Sequence, residues 1–228
     1  MRDKKLGPTL LHPLINRQQI RGIQMEVYIV RHGETVWNAA GRMQGNTDIE
    51  LNESGRAIAV ELGRNLKDVH FDRVYSSPLV RAFETACLIR GDRNIPIIRD
   101  DRLREICFGR LEGTHYSEWL KEDCPYRFFF SEPARYMPPE GGETLAQVCT
   151  RAKDFLQEIV EPAWDTTERI MIVAHGALNK GLMCYIEGHG TDNFWGNALQ
   201  KNCEASIFTY DGRTWRQYTS PQQGEYLP

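Results

Sequence analysis

Two segments of the 228-residue chain place a histidine and then a glycine directly after an apolar run. Arg31-His32-Gly33 follows Val27-Tyr28-Ile29-Val30, and His175-Gly176 follows Ile170-Met171-Ile172-Val173-Ala174. A third segment, Ser76-Ser77-Pro78-Leu79-Val80-Arg81, carries an apolar-leaning stretch into small polar groups and an arginine. Imidazole supplies a nucleophile or a proton carrier near neutral pH. Guanidinium supplies a permanent charge and a planar fork of donors that fits phosphate oxygens. A phosphoryl group in transfer spreads charge over three oxygens, so what it asks of a protein is positioning and electrostatic stabilisation. A lone histidine after a strand is more often a hydrogen-bonded packing residue. Two of them, with Arg31 and Arg81 nearby, describe a phosphate pocket in which a glycine after each histidine lets a backbone N–H approach an oxygen.

Such a pocket needs strands that end side by side. Val27–Val30 reads as a buried strand delivering polar groups at its C-terminal end, and Ile170–Ala174 is as apolar. Between them Phe71–Ser76 and Ile95–Ile98 read as strands. Asn52 is expected to cap a helix running to about Lys67, Pro78 to precede a helix over 80–89, and 144–160 and 176–187 to be helical. The stretch Asn38–Asp48 reads as a Gly- and Asn-rich loop. Ala205–Tyr210 and Trp215–Thr219 read as a hairpin around Asp211-Gly212. Alternating strands and helices predict a three-layer α/β/α fold with a mostly parallel central sheet, binding its ligand outside the carboxyl ends of the strands. Glu112–Gly142, with seven aromatic residues and four prolines, breaks that rhythm and reads as an inserted helical and loop segment over the site.

Apolar residues make up 41% and charged residues 26% of the chain, and the net charge is −3, which gives no electrostatic reason to expect a nucleic-acid or membrane partner. Any polyanion must be held by a local arginine cluster. The six cysteines form no C-x-x-C pair or metal-ligand spacing, so a reduced, cytoplasmic protein is expected. His12, His70, His115 and His189 also lack metal-ligand spacing, and no metal site is expected. Residues 1–24 read as a poorly ordered extension, 25–220 as one domain with its insertion at about 112–142, and 221–228 as a tail. Met25, just before the first strand, reads as the natural start of the domain. A homodimer is compatible with the sequence, which does not show which sheet edge is exposed.

Arg31-His32-Gly33-Glu34-Thr35 with Trp37-Asn38, Ser76-Ser77-Pro78-Leu79-Val80-Arg81-Ala82, and Ala174-His175-Gly176, in that order, resemble the histidine phosphatase superfamily, in the branch that includes cofactor-dependent phosphoglycerate mutases and related phosphatases. The likeness runs from about Glu26 to about Tyr218. It implies that His32 is the nucleophile and briefly carries the phosphoryl group, that Arg31 and Arg81 clamp the phosphate, and that His175 bonds the phosphoryl oxygens. It further implies substrate contacts from Thr35, Asn38, Gln44, Gly45 and Gly176. Glu105, in Leu103-Arg104-Glu105-Ile106-Cys107-Phe108-Gly109, matches the family's acid, which protonates the leaving oxygen and then takes a proton from water. Glu112 is the rival, and the motif register favours reading it as a solvated or insertion-anchoring carboxylate.

The mutases carry a Leu-Asn-Lys stretch after their Y-G-x-L-x-G segment and an adjacent arginine pair. This chain has Gly113-Thr114-His115-Tyr116 and Arg127-Phe128-Phe129-Phe130 instead, and Pro139-Glu140-Gly141-Gly142-Glu143-Thr144 resembles the phosphatases' P-G-G-E stretch. The expectation is therefore a phosphomonoester hydrolase acting on a small phosphorylated metabolite without a cofactor. The alternative is a phosphoglycerate mutase-type phosphotransferase, which would use 2,3-bisphosphoglycerate. A binding protein that keeps the pocket without turnover is the third reading, and the joint presence of His32, both arginines, Glu105 and His175 argues against it. Lys121, Arg127 and Arg135 are candidates for a second anionic group, although charges snorkelling from an aromatic segment are the plainer account.

Overall fold

A computed structural model describes residues 24–196 and 199–218. The expected extension, apart from Gln24, and the expected tail lie outside the described residues. Six strands, β1 (Met25–Arg31), β2 (Arg73–Ser76), β3 (Ile97–Arg99), β4 (Arg169–Ala174), β5 (Ala205–Tyr210) and β6 (Trp215–Gln217), form one sheet in the order β3-β2-β4-β1-β5-β6. The first four are parallel, while β5 and β6 run antiparallel at one edge.

Alternation along the strands separates two cores. Val27 and Ile29 of β1 join Ile170, Ile172 and Ala174 of β4 in one cluster, with Val148, Ala152 and Phe155 of α6 (Leu145–Phe155) and Leu178 and Leu182 of α7 (Gly176–Glu187). Tyr28, Val30, Met171 and Val173 face the other way, onto Ala82, Ala86 and Ile89 of α3 (Val80–Arg90). Helix α2 (Glu53–Asn65) lies against α3 on that side. Each fully buried Val or Ile contributes about 1.5–3 kcal/mol, so β1 and β4 hold the centre of the sheet rigidly. The three-layer α/β/α architecture read from the sequence is the observed one.

The ends of the elements follow local chemistry, with exceptions. The Asn52 side chain accepts from Gly55 N–H (2.7 Å), capping α2 as expected. Thr144 and Gln147 form a capping box at α6, but α6 ends at Phe155. Five residues, Leu156–Val160, continue it as a π-helical turn, and Glu161–Ala163 close it as a 3-10 turn in which Pro162 offers no N–H to a longer ladder. The expected loop 38–48 begins inside a one-turn helix, α1 (Val36–Ala39), capped reciprocally by Thr35 and Asn38. The insertion contributes two further one-turn helices, α4 (Tyr116–Trp119) and α5 (Phe128–Ser131), around a cluster of Phe108, Trp119, Phe129 and Tyr136.

Candidate active site

Arg31 at the end of β1 is in register with Ala174 at the end of β4, and Ser76 at the end of β2 with Val173. The residues that follow therefore emerge together. His32 N–H donates to Ala174 O (3.0 Å), Ser77 N–H to Val173 O (3.0 Å), and the rings of His32 and His175 lie 5.1 Å apart, centroid to centroid.

His32 is buried, and its Nδ1 lies 2.7 Å from the carbonyl oxygen of Gly33. A carbonyl can only accept, so Nδ1 carries the proton and Nε2 keeps its lone pair. Burial, followed by the charges of Arg81 and Arg31, holds the His32 pKa well below the ordinary imidazole value. His175 is depressed in the same way, by burial first and then by Arg81, His32, Arg151 and Arg31. Both rings are neutral at physiological pH.

The two guanidiniums are oriented by backbone. Arg81, fully buried in the first turn of α3, donates from Nη2 to Gly45 O (2.7 Å) and from Nη1 to Thr47 O (2.9 Å). Arg31 donates from Nη1 to Gln200 O (2.6 Å). Burial lowers the pKa of Arg81 to about 10 and lowers that of Arg31, and both stay charged near neutrality. Among the described residues seven buried side-chain polar atoms have no hydrogen-bond partner, and four of them are Arg31 Nε, Arg81 Nε and both ring nitrogens of His175. Unpaired buried donors are costly, so such a cluster around one histidine is a mould for an anion with several oxygens.

Glu105 sits at the N-terminus of α7. Its Oε1 accepts from Leu178 N–H (3.1 Å) and from Ile106 N–H (2.9 Å), and Oε2 accepts from Ala177 N–H alone (3.2 Å). Oε2 thus retains room for a proton. A β-carbon on Gly176 would stand 3.6 Å from this oxygen and 3.8 Å from Arg31 Nε, so Gly176 keeps that corner open.

A cavity of about 280 Å³ is lined by Arg31, His32, Arg81, Glu105 and Gly176 and, from the first loop, by Asn38, Gln44 and Gly45, while the fully buried His175 is not among its lining residues. Its outer wall is Tyr116, Phe129 and Phe130 of the insertion, with Trp195 and Leu199. Thr35 stands behind the wall, buried, with its hydroxyl 3.1 Å from Asn38 Oδ1 and 3.0 Å from Gln44 Oε1. The expected substrate contact from Thr35 is therefore replaced by a role in orienting Asn38 and Gln44. The expected free amide after His32 is also corrected: Gly33 N–H donates to Thr85 Oγ1 (2.9 Å), and the missing β-carbon makes room for the Gly55 carbonyl, 2.6 Å from where it would stand.

Lys121 pairs with Glu118, Arg135 with Glu132 (2.8 Å), and Arg127 donates to Glu122 O (2.6 Å); none of the three lines the cavity. The cation at its mouth is instead Arg42, pinned by Nη1 to Gly113 O (2.6 Å). Sequence reading missed Arg42, and it missed Gln200 and Asn202, whose side chain donates to His32 O (2.9 Å). No local pattern marks these residues, since they act across the fold.

A doubly covered α/β sheet whose strand ends gather two neutral histidines, the buried Arg81 and the half-buried Arg31 defines a phosphate-handling protein of the α/β class. The chain belongs to the histidine phosphatase superfamily (branch 1), whose family model matches residues 27–220. It is 35% identical over 173 residues to phosphoserine phosphatase 1 of Hydrogenobacter thermophilus, covering 75% of this chain and 80% of that protein. It is 32% identical over 191 residues to a probable phosphoglycerate mutase, GpmB, of Erwinia tasmaniensis, covering 84% and 87%. Among solved structures, YhfR of Bacillus stearothermophilus superposes with a TM-score of 0.78 at 37% identity, covering 85% of this chain and 95% of that one.

Proposed function

We propose that this protein is a phosphomonoester hydrolase that passes the phosphoryl group of a small phosphorylated metabolite first to His32 and then to water. The observation that carries this reading is His32 itself: neutral, with Nε2 unprotonated, beside Arg31 Nε, Arg81 Nε and the two ring nitrogens of His175, none of which has a protein partner. The phosphoserine phosphatase relative supports hydrolysis.

In the first step Nε2 attacks phosphorus in line, the P–N bond forms, and the ester P–O bond breaks. Glu105, acting as the general acid, gives a proton to the leaving oxygen from Oε2. Arg31 and Arg81 compensate the charge on the equatorial oxygens, with His175 as a further hydrogen-bonding partner. In the second step the Glu105 carboxylate takes a proton from water as its oxygen attacks phosphorus, the P–N bond breaks, and inorganic phosphate leaves with His32 restored. No metal or organic cofactor enters either step.

The mutase relative keeps a second reading open, in which the acceptor is a substrate hydroxyl and 2,3-bisphosphoglycerate primes the histidine. The absence of an arginine pair in the insertion supports water as the acceptor. Rapid quenching with a labelled phosphomonoester is expected to trap an acid-labile phosphoenzyme that the His32→Ala variant lacks. Product analysis with 3-phosphoglycerate plus 2,3-bisphosphoglycerate is expected to give inorganic phosphate rather than 2-phosphoglycerate. Retained turnover in His32→Ala would overturn the assignment.

A further inference from the structure

The Arg81 guanidinium is aimed by two carbonyls that belong to a loop outside any helix or strand. Gly45 O and Thr47 O accept from its two terminal nitrogens at 2.7 and 2.9 Å, fixing the plane of the fork and the direction of the unpartnered Nε. A carbonyl pair can aim a buried cation only if the loop that bears it is itself held.

Glu112 supplies that hold. Its Oε1 accepts from Asn46 N–H (2.9 Å) and from Phe108 N–H (3.1 Å). Its Oε2 accepts from Thr47 N–H (2.8 Å) and from the Thr47 hydroxyl. Three of these four donors lie in the loop whose carbonyls grip Arg81, while the fourth ties the carboxylate to Phe108, just before the insertion. Gly45 has φ +56°, and a β-carbon there would stand 2.1 Å from Glu112 Oε1, so loop and carboxylate are packed without slack. Glu112 does not line the cavity, and with four donors engaged it is not presented to a leaving group.

We infer that Glu112 is a positioning residue for phosphate recognition, acting through the 45–47 loop to set the Arg81 fork. The inference rests on reading the cavity as a phosphate site. It also assigns Gly45 a task beyond touching substrate, as the carbonyl and the narrow point of this relay. In Glu112→Gln one oxygen becomes an NH2 group facing backbone donors, which breaks at least one anchor of the loop without altering the cavity wall.

The experiment measures inorganic phosphate binding by titration calorimetry, and kcat and KM for a phosphomonoester, in wild type, Glu112→Gln, Arg81→Lys and the double variant. Glu112→Gln is expected to weaken phosphate binding ten-fold or more. In the Arg81→Lys background, where no planar fork remains to be aimed, the same change is expected to cost less than three-fold. A folded Glu112→Gln protein that binds phosphate within two-fold of wild type overturns the inference, as do equal penalties in both backgrounds, which would mean a general structural role. If Glu112→Gln does not fold, Thr47→Val carries the test by removing only the hydroxyl bond. A three-fold weaker phosphate affinity supports the relay, and an unchanged affinity overturns it. Because phosphate binding needs no turnover, a wild type that binds phosphate in this pattern but hydrolyses no phosphomonoester would sink the hydrolase reading and leave the relay standing.

Discussion

Keeping two imidazoles neutral inside a cationic pocket makes the fold sensitive to acid. Burial, then Arg81 and Arg31, hold His32 well below its ordinary value, and His175 is held down by burial first and then by Arg81 and His32. Below about pH 6.5 the unfolded chain protonates both rings while the folded protein does not, so the unfolded state binds more protons and stability falls as pH falls. At pH 5.5, one unit below the unfolded value, a ring that stays neutral in the folded protein forfeits at most about 1.4 kcal/mol, and the pair at most about 2.8 kcal/mol. Urea unfolding followed by tryptophan fluorescence at pH 7.5 and 5.5 measures this loss. His175→Asn keeps a polar side chain in place but removes one of the two titrations, so its loss over the same interval is expected to be smaller, by up to about 1.4 kcal/mol. Any carboxylate contribution is shared by the two proteins and cancels in the comparison. A His175→Asn variant that loses as much stability as wild type between pH 7.5 and 5.5 would refute the claim that His175 is buried neutral.

Glu105→Gln is expected to lower kcat by about 10²–10⁴ on an alkyl phosphate but far less on p-nitrophenyl phosphate, whose leaving group needs no proton. Equal losses on both would remove Glu105 from the acid role. Arg42→Gln is expected to reduce kcat/KM for 3-phosphoglycerate by roughly ten-fold relative to glycerol 3-phosphate, the effect of one charge-assisted hydrogen bond to the carboxylate. Parallel losses on the two esters would show that Arg42 does not meet a second anion. Thr85 Oγ1 accepts from Gly33 N–H (2.9 Å) and donates to Arg81 O (2.6 Å), so Thr85→Val leaves a buried N–H unpaired and is expected to cost about 1–3 kcal/mol in urea unfolding. A cost below about 0.5 kcal/mol would mean that Gly33 finds another acceptor.

What the sequence determined by itself is what short-range physics encodes. The apolar runs of β1 and β4, the Asn52 and Thr144 caps, and the turn at Asp211, whose carboxylate accepts from Arg213 and Thr214 N–H (3.0 and 2.8 Å), are set by residues within a few positions of one another. The polar groups at the strand ends were legible because a fully buried strand has nowhere else to deliver charge. Tertiary structure decided how those groups are aimed. The register of β1 with β4 brings His32 and His175 within 5.1 Å, and Asn202, 170 positions from His32, donates to the His32 carbonyl and fixes its backbone. Glu112, read from the sequence as a solvated or insertion-anchoring carboxylate, holds the Arg81 loop, and Arg42, not singled out in the sequence, lines the cavity. Such contacts leave no periodicity in the chain, because each depends on packing that brings distant segments together, and only the assembled sheet sets those distances.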